Sequence, residues 1–191
     1  LMRLREICCA PRLIADNWTG GSAKLDACIE LVTSAVEGGH RILLFSQFTS
    51  MLELLAKRLD EAGVSHFTLQ GSTPKPVRAE QVRRFNQGEA DVFLISLRAG
   101  GTGLNLTGAD LVIHYDPWWN PAAEDQATDR AHRIGQTQDV NVYQIVAKDT
   151  IEERILKLQE KKNELARQFT DGTASGGVGT LSKDDLLDLL S

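Results

Sequence analysis

Strand-type runs alternate with helix-type stretches along most of this chain, and that alternation limits the fold more than any other feature. Residues 41–46 (RILLFS), 64–69, 91–96 (DVFLIS), 110–115 (DLVIHY) and 140–147 (VNVYQIVA) are short and apolar, the pattern of strands buried on both faces. Between them, apolar residues recur three and four apart. Residues 22–36 carry Leu25, Cys28, Ile29, Val32 and Val36 behind a Ser22 cap, and Gly38 and Gly39 end them. Residues 50–62 carry Leu52, Leu55, Ala56 and Leu59 and stop at Gly63. Pro76 opens a further helix with Val77, Val82 and Phe85 turned inward and Gly88 behind it. Residues 121–133 also read as helical. Strand alternating with helix predicts an α/β fold, a parallel sheet with helices on both faces.

The ends depart from this rhythm. Residues 1–20 read as an entry segment, a short helix ending near Pro11 and then a loop; residues 21–148 form the α/β lobe. Residues 149–170 read as a long polar helix with Ile151, Ile155, Leu158, Leu165 and Phe169 on one side. Residues 171–180 (DGTASGGVGT) read as a flexible linker, and 181–191 as a terminal amphipathic helix that a capping box opens at 182–185. The 191 residues suit one domain with appendages. A net charge of −5 argues against coating nucleic acid through bulk charge, so any such contact is local. Cys8, Cys9 and Cys28 show no C-x-x-C spacing, which argues against zinc and for a reducing, intracellular compartment: cytoplasm, nucleoid or nucleus. No apolar run approaches a membrane span, and no signal-peptide pattern opens the chain, so no membrane partner is expected. His40, His66, His114 and His132 are scattered and lack the partnered spacing of a catalytic base.

In an open parallel sheet, ligands gather at the carboxyl ends of the strands. Segments 47–49, 70–73, 97–106 and 116–120 follow those ends and are expected to share one rim. Gln70-Gly71-Ser72-Thr73 offers a glycine, two hydroxyls and free backbone N–H groups, which suits one backbone phosphate and equally suits a plain turn. Gly100, Gly101 and Gly103 lie between Arg98 and Asn105, a run kept where the backbone bends sharply or meets a ligand closely, or else a plain flexible loop. Trp118 and Trp119 cannot easily both face the core; one exposed indole would press on a sugar or base edge, or both would cap the sheet. Gln126, Arg130 and Arg133 share a helical face. A guanidinium fork matches phosphate oxygens, and the Gln126 amide suits a water or a ribose-side group. The bland alternative is a solvated face paired with Glu124, Asp125 and Asp129. The chain has no G-x-x-x-x-G-K-[ST] loop and no G-x-G-x-x-G opening a helix after a strand. A phosphate reader without a phosphate holder is half of a two-part site.

These strings match a family. LRAGGTGLNL, DPWWNP and DQATDRAHRIGQ resemble the fifth and sixth motifs of Swi/Snf-type DNA-dependent ATPases, within the superfamily-two helicases. FSQF resembles the fourth motif, and LQGST with Arg78 resembles the motif after it. REICCAPRLI and SAKLDACIELV resemble the entry into the second lobe, so the likeness covers about residues 1–165. Gln70 stands where many members have Asp, and Trp118 occupies a variable position. The resemblance implies a RecA-like second lobe, with ATP between two lobes. Arg133 would be the arginine finger, Arg130 a second phosphate contact, and Gln126 a partner for the ATP end or the attacking water. Gly101, Gly103 and Asn105 would lie beside ATP. Ser46, Gln47, Gly71, Ser72, Thr73, Ser96, Arg98 and Trp119 would face the DNA backbone. The first lobe of the same polypeptide would hold most of the ATP and the Mg2+, so this stretch alone is expected to be inactive. The helix at 149–170 resembles the bracing helix that packs back on the first lobe.

The expected function is therefore the second motor lobe of an ATP-dependent double-stranded DNA translocase or remodeller. Its expected partners are duplex DNA, the N-terminal lobe and, as a further candidate, a protein bound to that DNA. Two other readings compete: a non-enzymatic nucleic-acid or protein-binding module on the same scaffold, and an RNA-unwinding relative, which DRAHRIGQ disfavours.

Overall fold

The apolar runs become parallel strands in the computed structural model, which describes residues 1–100, 104–129 and 139–170. The elements in chain order are α1 (Met2–Cys9), a 3-10 turn at Pro11–Leu13, α2 (Ala23–Glu37), β1 (Ile42–Ser46), α3 (Thr49–Glu61), β2 (His66–Leu69), α4 (Lys75–Asn86), β3 (Val92–Ser96), α5 (Leu97–Gly100), β4 (Leu111–His114), α6 (Pro121–Thr128), β5 (Asn141–Gln144) and α7 (Ile151–Thr170). The sheet order is β2-β3-β1-β4-β5, with every neighbouring pair parallel. From the central β1 the chain moves to one side for β2 and β3, then crosses over to β4 and β5. The carboxyl ends of β1 and β4 therefore flank the point where the order reverses.

Side chains alternate between two cores, as the two-residue period of a strand requires. Ile42, Leu44, Val92, Leu94, Leu111 and Ile113 pack beneath α2 and α3. Leu43, Phe45, Phe93, Ile95 and Val112 pack on the other face, with Phe85 from α4, Ala99 from α5 and Ala127 from α6. Each fully buried Leu, Ile or Phe contributes about 1.5–3 kcal/mol relative to exposure, so this double layer holds the rim in place. Ser22 caps α2 by accepting the Leu25 amide, as its position predicts. Gly63 and Gly88 follow α3 and α4 with φ of 71° and 88°, a left-handed conformation that glycine adopts without the backbone strain a side chain brings.

Several expectations need correction. Val77 does not face inward but is 44% exposed. Helix α4 lies over the edge strand β2, and only its later residues, Val82 and Phe85, reach the core. The fifth strand is shorter than 140–147, and Asn141–Gln144 is exposed throughout. It is an edge strand, so it lacks the second neighbour that buries β1 and β3. Helix α1, for which the sequence pattern singles out no buried face, leaves Met2, Leu4 and Ile7 exposed and buries Arg5, which is 1% exposed. Leu165 and Phe169 belong to α7, but their side chains lie outside the described residues, as do residues 171–191 with the expected linker and terminal helix. No helix among the described residues is long and apolar enough to cross a membrane.

Candidate functional site

Register brings the starts of the four expected loops to one edge. Ser46 pairs with Ser96, Leu69 with Ile95, and His114 with both Phe45 and Gln144. Segments 47–49, 70–73 and 116–120, and α5 at the start of 97–106, therefore leave the carboxyl edge of the sheet, whereas Asn105 is bonded to Asn86 at the far end of α4.

The centre of that edge is polar and buried. Asp116 is 4% exposed and accepts hydrogen bonds from the Ser46 hydroxyl and from Gln47 Nε2 at 2.6 Å. The Gln47 amide adds longer contacts at 3.3 and 3.4 Å. Ser46 Oγ also accepts the Phe48 amide at 3.2 Å. Burial pushes the Asp116 carboxyl above the usual carboxylate range, and the Ser46 bond opposes that shift. The side chains of Ser46 and Gln47 are thus turned onto Asp116, and Ser96 is buried at 3% exposure. The network joins the ends of β1 and β4 at the point where strand order reverses.

Beside it, three consecutive backbone groups are held by three different helices. Arg5 of α1 donates to the Pro117 carbonyl at 2.7 Å. Glu124 of α6 accepts the Trp118 amide at 2.6 Å. Gln159 of α7 donates to the Trp118 carbonyl. The two indoles stack with centroids 3.7 Å apart, and the Arg5 guanidinium lies 4.9 Å from one ring and 4.7 Å from the other. Neither tryptophan is exposed, because the chain bends after Tyr115 and lets the rings stack instead of pointing apart. Trp119 also packs on Ile155 and Leu158 of α7. Asn120 then caps α6 by accepting the Ala122 amide.

The loop at 70–73 has its own scaffold. Arg78 of α4 donates to the carbonyls of Thr73 at 2.7 Å, Gly71 at 2.8 Å and Gln70 at 3.2 Å. Thr73 Oγ1 accepts the Gln70 amide at 3.0 Å. Gly71 and Ser72 are exposed. A Cβ at Gly71 would meet nothing within 4 Å, and its φ is not in the left-handed region. The fold therefore does not require glycine at 71. At the opposite, amino edge of the sheet, Asn86 donates to the Asn105 carbonyl and accepts the Gly108 amide, which anchors residues 105–108 to the end of α4 beside the start of β1. Arg98, Asn105 and Gln126 are exposed, on α5, its following loop and α6. Gly101, Gly103, Arg130 and Arg133 lie outside the described residues.

Sequence reasoning assigned no role to Arg5, Lys24, Asp116 or Glu152. Lys24 of α2 is 2.6 Å from Glu152 Oε2 of α7, and the same carboxylate accepts the Ala147 amide. The only local signal was at Arg5, which lies one turn before the buried Cys9 on the same helical face. His114 stacks on Phe45 and lies 3.0 Å from the Thr128 hydroxyl; burial lowers its pKa to about 4, which suits a core histidine rather than a base. Burial raises the Glu124 carboxyl to about 7 despite the Trp118 amide bond. No group of three or more His, Cys, Asp or Glu among the described residues could hold a metal ion.

The all-parallel sheet, its order and the loops gathered at its carboxyl edge define a RecA-like α/β lobe. Residues 23–135 match the helicase conserved C-terminal domain, and the chain belongs to that family, as a C-terminal lobe of the Swi/Snf type. It is 45% identical over 177 residues to a chromatin-remodelling ATPase INO80 of Sclerotinia sclerotiorum, covering 91% of this chain and 10% of that protein. It is 42% identical over 166 residues to an uncharacterised ATP-dependent helicase of Mycoplasma pneumoniae, covering 86% of this chain and 16% of that one. The chain thus spans at most about a sixth of either relative. A crystal structure of the C-terminal part of the Fun30 ATPase domain superimposes with a TM-score of 0.73 at 30% identity, over 98% of this chain and 60% of the other.

Proposed function

We propose that this chain is the second motor lobe of an ATP-dependent translocase or remodeller acting on double-stranded DNA. The observation that carries the reading is the single rim: Gly71, Ser72, Arg98 and Gln126 are all exposed on segments that leave one edge of the sheet. Gly71 presents a backbone that a ligand can approach closely although the fold itself tolerates a side chain there. In this reading Gly71, Ser72, Thr73 and Arg98 face the DNA backbone. Ser46, Gln47, Ser96 and Trp119 support that surface from beneath through their internal contacts. Gln126, with Arg130 and Arg133 after it in sequence, faces ATP, and Gly101, Gly103 and Asn105 lie beside the nucleotide.

Catalysis by such a lobe is electrostatic. An arginine aimed at charge that develops in phosphoryl transfer stabilises the transition state more than the bound substrate. The described part of this chain supplies no carboxylate cluster for Mg2+, so the proposal leaves the metal and most of the ATP contacts to a first lobe. The exposed Leu4 and Ile7 of α1 line an open groove of about 550 Å3 with Asp149, Glu153, Arg154 and Lys157 around the start of α7, a mixed apolar and charged surface on which that lobe can seat. Likeness to INO80 and Fun30 ATPases supports a duplex-DNA motor over an RNA-unwinding one. The test is ATP turnover by the complete protein with duplex DNA or with RNA added. Stimulation by duplex DNA is expected, and stimulation by RNA alone would overturn the proposal.

A further inference from the structure

Arg5 is a poor stabiliser for so buried a charge. Its side chain is 2% exposed, its nearest carboxylate, Asp116, is 4.0 Å away, and Nη1 has no hydrogen-bond partner. Desolvation without full pairing is costly, and apolar replacement of such groups is often neutral. What the guanidinium does uniquely is geometric. Its planar fork reaches the Pro117 carbonyl while lying against Trp118, Trp119 and Phe48. The N–H of that same peptide group, on Trp118, is tied to α6 through Glu124, and the carbonyl of the next one, Trp118 C=O, to α7 through Gln159. A second tie, from the Tyr115 hydroxyl to the Cys9 carbonyl at 2.7 Å, fixes the other end of α1 to the end of β4.

We propose that Arg5 is a positioning residue that couples the entry helix to α6 through the Pro117-Trp118 backbone. A shift of α1 relative to the sheet is passed to the loop before α6, and so to the helix that carries Gln126. The inference rests on the motor reading for its functional meaning, because Gln126 lies on α6 and Arg130 and Arg133 follow it in sequence. Arg5 itself touches neither nucleotide nor DNA in this scheme.

The test uses Arg5→Met and Arg5→Lys in the complete protein. Hydrogen exchange of the α6 amides should quicken by about tenfold in Arg5→Met while β1 and β3 amides keep their rates, because the change loosens one local unit. Arg5→Lys keeps the cation beside Asp116 but lacks the planar fork, and it should show the same local effect to a smaller degree. If Arg5→Met does not fold, Arg5→Lys alone decides. Unchanged α6 exchange, or equal acceleration in α6 and the central strands, would overturn the proposal. In the same variants DNA-stimulated kcat should fall while KM for ATP holds; both parameters unchanged, or a loss confined to KM, would also overturn it. Absence of DNA-stimulated turnover in the unmodified protein would sink the motor reading only, and the exchange data would still decide the coupling.

Discussion

Lys24 Nζ and the Glu152 carboxylate, 128 residues apart in sequence, meet at 2.5 Å with side chains 6% and 1% exposed. The pair fastens α7 to α2, and Glu152 also accepts the Ala147 amide before α7 begins. Breaking one side of a buried pair leaves the other charge uncompensated, at a typical cost of about 3–5 kcal/mol. Lys24→Met should therefore lower unfolding free energy by about that amount in urea titrations. The double variant Lys24→Met with Glu152→Leu should recover most of the loss. A double variant as unstable as the single one would show that the pair's charges are not the cause.

Gly71 separates folding from ligand approach. A Cβ there meets open space and the φ suits any residue, so Gly71→Ala should hold or slightly raise the melting temperature by restricting the unfolded chain. The methyl group would stand where a phosphate has to approach the backbone, so duplex-DNA affinity of the complete protein should fall by about 1–2 kcal/mol. Unchanged affinity in a fluorescence-anisotropy titration would remove residues 70–73 from the DNA contact.

Arg133→Ala tests the chemistry. A transition-state arginine is worth about 10³–10⁵ in turnover, so DNA-stimulated ATPase should drop by that order with the fold intact. A loss of less than about tenfold would reject the finger assignment.

A half-buried carboxyl and a buried imidazole give the stability profile opposing slopes. The Glu124 carboxyl is raised from its usual 4.5 to about 7, so the folded state holds its proton longer than the unfolded chain does. Its contribution is fully present below pH 4.5 and is lost as pH rises through about 7. His114 is lowered from 6.5 to about 4, so its contribution is present above pH 6.5 and is lost as pH falls toward 4. Melting temperature measured from pH 4 to 8 should decline less steeply with rising pH in Glu124→Gln than in the parent. It should decline less steeply with falling pH in His114→Phe. Parallel curves for variant and parent would mean that the group in question is not perturbed.

Sequence alone determined the layers. Apolar runs of strand length, helical periods between them, the Ser22 cap and the glycine stops at Gly63 and Gly88 are local signals, and each reports on its neighbours within a turn or two. They were enough to define the parallel sheet, its two covered faces and the shared rim, and the strings LRAGGTGLNL and DQATDRAHRIGQ pointed to the family. Local pattern misled at Val77 and β5, where position at the sheet edge overrides apolar composition. It gave no face for α1, where Leu4 and Ile7 are exposed while Arg5 is buried. Only the tertiary structure decided which charges go inside. Arg5 finds Pro117 across 112 residues and Lys24 finds Glu152 across 128. A buried charge is tolerated only where distant chain supplies its partners, and no periodicity in the sequence records which distant segment that will be.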